Sequence, residues 1–209
     1  VVKAHWKWVA RLKEKLPAAK LVLVGDHVTA LPAESFENSP VDYVLAGGDY
    51  DFLLVNLLAH LKGGASLEPG IWCRDGTGVR NTGRFVCGHD LTKLPWIDRD
   101  LVQWTLYSTK NGNFRKTPGT YVMSGRDCWH GKCTFCSWTT LYTNYRIRDP
   151  LDAVNEIGDL IERYGVREVM DDTGTFPAGE WLRTFCNAVI ERGYNKRINI
   201  DCNMRFGTL

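Results

Sequence analysis

The sequence predicts an α/β protein in two parts, each an alternation of helices with short buried strands. Three observations predict it. Apolar runs rich in Val and Leu end at glycine or at polar residues, as strands covered on both faces do. Amphipathic stretches of helical length separate them, and the alternation breaks once, between residues 65 and 118, before it resumes. At 209 residues and 44% hydrophobic content, the chain can build one large core or two small ones.

In the first part, residues 1–16 read as a helix with Trp8 (or Val9), Leu12 and Leu16 on its apolar stripe. "KLVLVG" (20–25) reads as a strand, "DHVTALPAESFE" as a loop and short helix, and "VDYVLAGG" (41–48) as a second strand. A helix follows, with Asp49 or Asp51 near its cap and Leu54, Leu57, Leu58 and Leu61 on one face. Gly63-Gly64 stops it. This order is that of the C-terminal half of a parallel α/β domain, assigned to residues 1–64. Residues 65–118 are expected to bridge two domains, through a hairpin over "GIWCRDGTGVRNTGRF" and an aromatic-rich irregular stretch.

The second part, residues 119–209, opens with the strand "TYVMS" and a cysteine-bearing loop. Asp149 then caps a helix with Pro150 at its first position. Leu151, Val154, Ile157, Leu160, Ile161 and Tyr164 form its stripe, and Gly165 ends it. The strand "VREVMDD", a helix with Trp181, Leu182, Phe185, Val189 and Ile190 inward, and the strand "RINIDCNMR" complete it. This β-loop-α-β-α-β order fits the start of a parallel α/β barrel.

A net charge of +2 argues for no nucleic-acid footprint. No apolar run approaches the roughly 18 residues of a membrane span, and the polar first residues do not read as a signal peptide. Val1 and Leu209 read as cut ends of a longer protein. Seven cysteines, an odd number, suit a reducing compartment, the cytoplasm, better than a disulfide scaffold. Cys73, Cys87, Cys186 and Cys202 are expected to be small buried hydrophobes.

The other three lie within nine residues, in "RDCWHGKCTFCSW". Their C-x4-C-x2-C spacing leaves several chemistries open. A disulfide would strand one thiol. Zinc could take Cys128, His130, Cys133 and Cys136, but His130 is a cramped neighbour of Cys128 and no second Cys/His pair of metal-ligand spacing exists. The spacing is also that of plant-type [2Fe–2S] ferredoxins, which need a fourth cysteine. Cys186 reads as mid-helix and Cys202 as mid-strand, so neither is an obvious fourth ligand. A loop supplying three thiolates would leave one iron of a [4Fe–4S] cluster open.

"SGRDCWHGKCTFCSW" resembles the cluster loop of the radical S-adenosylmethionine (SAM) superfamily, whose usual pattern is C-x3-C-x-φ-C with an aromatic φ. Phe135 stands at φ, and this sequence has one extra residue between Cys128 and Cys133. The resemblance implies a [4Fe–4S] cluster on Cys128, Cys133 and Cys136 that coordinates SAM and cleaves it to a 5′-deoxyadenosyl radical. In a parallel barrel the strand ends surround one site. Asp171 and Asp172 after the second strand, with Asn203 and Arg205 after the third, would then meet the SAM ammonium and carboxylate. In that position the superfamily more often carries glycine-glycine-glutamate. Asp171-Asp172 also reads as a solvated, helix-capping turn, and Arg205 as a surface arginine.

The stretch "LVLVGDHVTALPAESFENSPVDYVLAGGDYDFLLVNLLAHL" resembles the later part of the cobalamin-binding, Rossmann-like domain that precedes the barrel in one class of that superfamily. Gly25, His27, Thr29, Gly47 and Gly48 match the positions that line the cobalamin nucleotide tail, with Gly48-Asp49 in place of Gly-Glu. A generic doubly wound domain would carry similar glycines after its strands. The resemblance covers nearly the whole chain. It implies a cobalamin-dependent radical SAM enzyme, methyl transfer to an unactivated carbon being the commonest chemistry and ring formation or rearrangement an alternative. It also implies a small-molecule or lipid-like substrate and a reductant such as flavodoxin or ferredoxin. An iron–sulfur electron-transfer module and a zinc-stabilised interaction domain are the competing readings.

Overall fold

The computed structural model describes residues 1–76, 78–110, 112–142 and 144–207. They form two units: residues 1–89 with 140–142, and residues 90–139 with 143–209. The sequence-based bridge over 65–118 therefore divides at His89/Asp90. No helix among the described residues is long and apolar enough to cross a membrane.

The first unit contains, in order, α1 (Val2–Lys15), β1 (Val22–Leu23), α2 (Asp26–Ala30), α3 (Pro32–Asn38), β2 (Tyr43–Leu45), α4 (Tyr50–Leu61), β3 (Ile71–Asp75) and β4 (Gly78–Asn81). The sheet order is β1-β2-β3-β4. β1 and β2 are parallel, but β3 and β4 run antiparallel, so the predicted hairpin extends the first sheet. β2 is buried on both faces. Val44 joins a cluster with Val9, Val28, Phe36 and Val41, and Leu45 joins one with Leu53, Leu57 and Ile71. That double burial is why the run reads as continuously apolar rather than alternating. Lys13 crosses from α1 to Asp42 at 2.8 Å, and the same carboxylate accepts from the Leu21 amide.

Two predicted helix faces are turned. α1 buries Val9, one of the two expected alternatives, together with Trp6, whose indole N–H donates to Ser35 Oγ, and leaves Trp8, Leu12 and Leu16 exposed. α4 buries Leu53 and Leu57 and exposes Leu54, Leu58 and Leu61. Its apolar residues lie all round the helix, so periodicity does not choose a face, and contact with Leu45 and Ile71 does. Asp49 occupies the N-cap position without a capping side-chain bond. Its carboxylate instead bonds His89 Nδ1 at 2.8 Å.

The second unit contains α5 (Trp104–Thr109), β5 (Gly119–Val122), β6 (Gly125–Arg126), α6 (Trp138–Leu141, its last two residues grouping with the first unit), β7 (Arg146–Ile147), α7 (Pro150–Tyr164), β8 (Glu168–Asp171), α8 (Glu180–Glu191) and β9 (Asn199–Cys202). β5, β8 and β9 form a parallel sheet in that order, and β6 and β7 a small antiparallel ribbon beside the cysteine loop. Asp149 caps α7 by accepting from the Leu151 and Asp152 amides, and Gly165 closes it in the left-handed region at φ 62°. One face of the sheet packs Val122 and Val169 against Val154, Ile157, Leu160, Phe185 and Val189. Leu151 and Ile190 were expected inward but lie outside this core, and Ala188 is buried.

Behind the sheet a buried ion network ties the elements together. Glu156 on α7 accepts from Arg148 at 2.7 Å and stands 3.8 Å from Arg99, which reaches back from the connector to Thr120 Oγ1 and the Tyr121 carbonyl. Arg148 also donates to Asp152 and the Met123 carbonyl.

The packing makes a stability prediction. Ile157→Ala leaves a cavity against Val169 and should cost about 2–5 kcal/mol, whereas Leu151→Ala should change stability by less than about 0.5 kcal/mol. Urea unfolding followed by circular dichroism checks both; equal losses would contradict the assigned face.

Candidate functional site

The candidate site in the second unit grows from the β8–α8 loop. Asp171 at the end of β8 is buried, and its carboxylate accepts from the Ser124 amide at 2.9 Å and the Thr173 amide at 3.0 Å. Thr173 Oγ1 then accepts from the Gly125 amide and donates to the Gly125 carbonyl. At Gly174 a Cβ would lie 2.6 Å from the Asp127 carbonyl oxygen and 2.9 Å from the Trp138 ring, so only glycine permits this approach. Thr175 Oγ1 meets Cys128 Sγ at 2.8 Å. The two segments thus run side by side, pairing 171 with 124, 173 with 125, 174 with 127 and 175 with 128. Asp127 accompanies this with φ 69°, a left-handed conformation that Asp tolerates better than most residues.

This pairing determines the environment of Cys128. Burial opposes its thiolate, but the Thr175 hydroxyl, the Gly131 and His130 amides and the charge of Arg205 together hold it below the ordinary thiol range. Desolvation, with the charges of Arg205 and Lys132, lowers His130. Cys133 and Cys136 share one turn, the Cys136 amide donating to the Cys133 carbonyl at 3.2 Å. All three cysteines are free and half-buried. Among the described residues, no three His, Cys, Asp or Glu side chains are grouped closely enough to hold a metal ion. The donor chemistry nevertheless fits a three-thiolate iron–sulfur cluster: three thiols on one nine-residue loop, one of them biased toward its anion.

The other predicted residues divide between two environments. Phe135 is 90% exposed. Arg205 lies 6.0 Å from the centroid of the Trp129 ring, beside the loop. A cavity of about 420 Å³ opens there, lined by Trp129, Tyr145, Ile147, Pro177, Ala178 and Gly207. Burial and the charges of Asp171 and Cys128 raise Tyr145, so its phenol keeps its proton, and it donates to the Thr175 carbonyl at 3.3 Å. The Asn203 carbonyl accepts from the Phe176 amide at 2.7 Å, tying the end of β9 to the same loop.

Asp172 faces the other side of the sheet from Asp171, because successive residues of a strand alternate. It lines a second cavity of about 320 Å³ with Asn113, Arg115, Tyr121, Glu168, Met170 and Asp201. Burial and the Asp171 charge raise Asp172. Desolvation opposes the Glu168 anion, but the Arg115 and Lys116 amides, each at 2.9 Å, and a hydrogen bond from Asp201 hold Glu168 below the usual range. Asp201 is raised by desolvation and by the Glu168 charge.

In the first unit, the candidate residues cluster at the ends of β1 and β2. Gly25 has φ 121° and open space where a Cβ would stand. His27 Nε2 pairs with Glu34 at 3.1 Å. Thr29 Oγ1 accepts from the Gly47 amide and bonds Tyr50, whose hydroxyl meets that of Tyr142; Tyr142 donates to Asp26 at 2.6 Å. The ring of Phe85 covers Gly47 and that of Tyr142 covers Gly48, each nearer than a Cβ would allow. The open backbone at Gly25 and the hydroxyl chain fit a polar ligand tail; the covered glycines would need those rings to shift.

Sequence reasoning selected Asp171-Asp172 and passed over Thr173, Gly174 and Thr175, which follow them directly. It also missed Glu168, Asp201, Trp129 and Tyr145. An acidic residue on β8 and another on β9, both on the face that lines the second cavity, were the available signal for Glu168 and Asp201.

No protein-family model matches the chain. It is 27% identical over 199 residues to the anaerobic magnesium-protoporphyrin IX monomethyl ester cyclase of Cereibacter sphaeroides, covering 92% of this chain and 32% of that protein. The chain thus spans about a third of the length of this curated relative. Its fold is similar to that of TsrM from Kitasatospora setae, a radical SAM methyltransferase solved with cobalamin and a [4Fe–4S] cluster bound. The TM-score is 0.60 at 16% identity, over 88% of this chain and 37% of TsrM. It is also similar to the apo form of OxsB, a cobalamin-dependent SAM radical enzyme, with a TM-score of 0.58 at 14% identity over 93% of this chain and 31% of OxsB.

The acidic pair makes a pH prediction. Because folding raises Asp201, that group favours the fold when protonated, and its contribution is lost as pH rises through the folded value. Asp201→Asn should therefore raise the urea midpoint at neutral pH, with the gain shrinking toward zero below the unfolded carboxylate range. A gain that grows on acidification would contradict the assignment.

Proposed function

We propose that this chain is part of a cobalamin-dependent radical SAM enzyme. In this reading residues 119–209 are the first βα units of a TIM-type barrel, residues 1–64 belong to a Rossmann-like cobalamin-binding domain, and 65–118 lie between. The observation that carries it is the cysteine loop seated on the β8–α8 loop through Cys128 and Thr175, in a chain whose fold is similar to two enzymes of that class. The loop sits at the C-terminal end of its sheet, where parallel α/β proteins place their chemistry.

Cys128, Cys133 and Cys136 would hold a [4Fe–4S] cluster. When bound, such a cluster supplies the electron for reductive cleavage of SAM, and the cofactors carry the hard chemistry. The chain's own residues bind and orient. Arg205 would pair with the methionyl carboxylate of SAM, and Asp172 is the carboxylate free of the backbone bonds that occupy Asp171. Asn203 anchors the loop through its carbonyl, and Phe135 offers an apolar surface to a bound ligand. Gly25, His27, Thr29, Gly47 and Gly48 would line the cobalamin tail.

The reaction we favour is methyl transfer to an unactivated carbon of a small or lipid-like molecule, in the cytoplasm, with electrons from a flavodoxin or ferredoxin. A second reading, ring formation, is favoured by the name of the curated relative, a cyclase.

Anaerobic reconstitution of the full-length parent protein with iron and sulfide tests the proposal. The expected result is about four irons per chain, lost in Cys133→Ala, with 5′-deoxyadenosine released from SAM under reduction. Two irons without SAM cleavage would favour electron transfer, and stoichiometric zinc without iron an interaction domain. Failure to take up cobalamin would remove that half of the reading.

A further inference from the structure

We infer that Thr175 is a positioning residue for Cys128 whose hydroxyl, donated to the sulfur, makes a cluster held there easier to reduce. The inference rests on the proposed cluster ligation and adds to it a residue from the following βα unit. Its oxygen lies 2.8 Å from Cys128 Sγ. Thr175 is 4% exposed, so little water competes for the bond.

The hydroxyl is held in place from several directions. Thr173 is bonded at both its oxygen roles to Gly125, Gly174 lies against the Asp127 carbonyl, and the Phe176 amide is tied to Asn203. Tyr145 donates to the Thr175 carbonyl. A side chain fixed on both sides in sequence cannot follow a sulfur that moves away, so it also locates Cys128. Hydrogen bonds to cluster sulfurs are among the levers that set iron–sulfur potentials. Donation draws electron density from the thiolate, which favours the more negative, reduced state of the cluster.

Two variants separate the hydroxyl from the shape. Thr175→Val keeps the volume and removes the donor, and Thr175→Ser keeps the donor and removes a methyl. Both are prepared in the full-length protein, reconstituted anaerobically and titrated electrochemically, with the reduced cluster followed by electron paramagnetic resonance. At the wild-type midpoint, Thr175→Val should lower the ratio of reduced to oxidised cluster by about three- to tenfold, tenfold being 59 mV for a one-electron couple. Thr175→Ser should remain within about twofold of wild type, since a donor hydrogen bond to a charged group is retained. Loss of iron in Thr175→Val alone would also support the role, through positioning of the ligand.

Equal potentials in all three proteins would overturn the inference, as would equal shifts or equal iron loss in both variants. A wild-type protein that takes up no iron would defeat the cluster reading itself, and the role of Thr175 with it. Iron uptake with indistinguishable potentials would defeat only the role of Thr175.

Discussion

The close approach of residues 171–175 to residues 124–128 is the constraint on which the second unit's site depends. Four contacts in succession, from Asp171 with Ser124 to Thr175 with Cys128, place the first cysteine of the loop against the sheet. Such an arrangement requires a small residue where two backbones nearly touch, and Gly174 is that residue. It also requires that every polar atom brought inside find a partner. Asp171 and Thr173 answer that need by bonding backbone amides, which fixes the chain where the two segments meet.

The rest of the unit supports that approach from behind. Glu156 accepts from Arg148 and stands near Arg99, so one helix side chain faces cations from the connector and from the segment that leaves the cysteine loop. Buried ion pairs contribute little net stability once desolvation is counted, but they are selective about geometry. The network joins three segments through hydrogen bonds to backbone and side chains. It holds the start of α7, the end of β5 and the connector in one arrangement, and β5 delivers the loop.

Much of this was legible in the sequence where the signals are local. Asp149-Pro150 and Gly165 bound α7 because capping chemistry depends on residues a few positions apart. β2 was legible because burial on both faces leaves a continuous apolar run. The faces of α1 and α4 were not, because both helices carry more apolar residues than their cores accept, and the choice between Leu53 and Leu54 is made by distant residues such as Ile71. The site shows the same division. The cysteines announce themselves by spacing, whereas Thr175 acquires its meaning from a partner 47 positions away, and no periodicity encodes that. The opposite orientations of Asp171 and Asp172 follow from strand alternation, once the strand is known to extend to Asp171.

The grouping of Thr140–Tyr142 with the first unit has a consequence for how such a protein can be altered. The chain passes between units three times, at residues 89–90, 139–140 and 142–143, so no single cut separates them. A recombination that exchanged everything after His89 would replace Tyr142 together with the cysteine loop, and would take from the Asp26 carboxylate its donor and from the Tyr50 and Thr29 hydroxyls the partner that continues their chain. The halves are thus not interchangeable cassettes. A workable chimera must carry residues 140–142 with the donor of residues 1–89, even though they are encoded beside the cysteines.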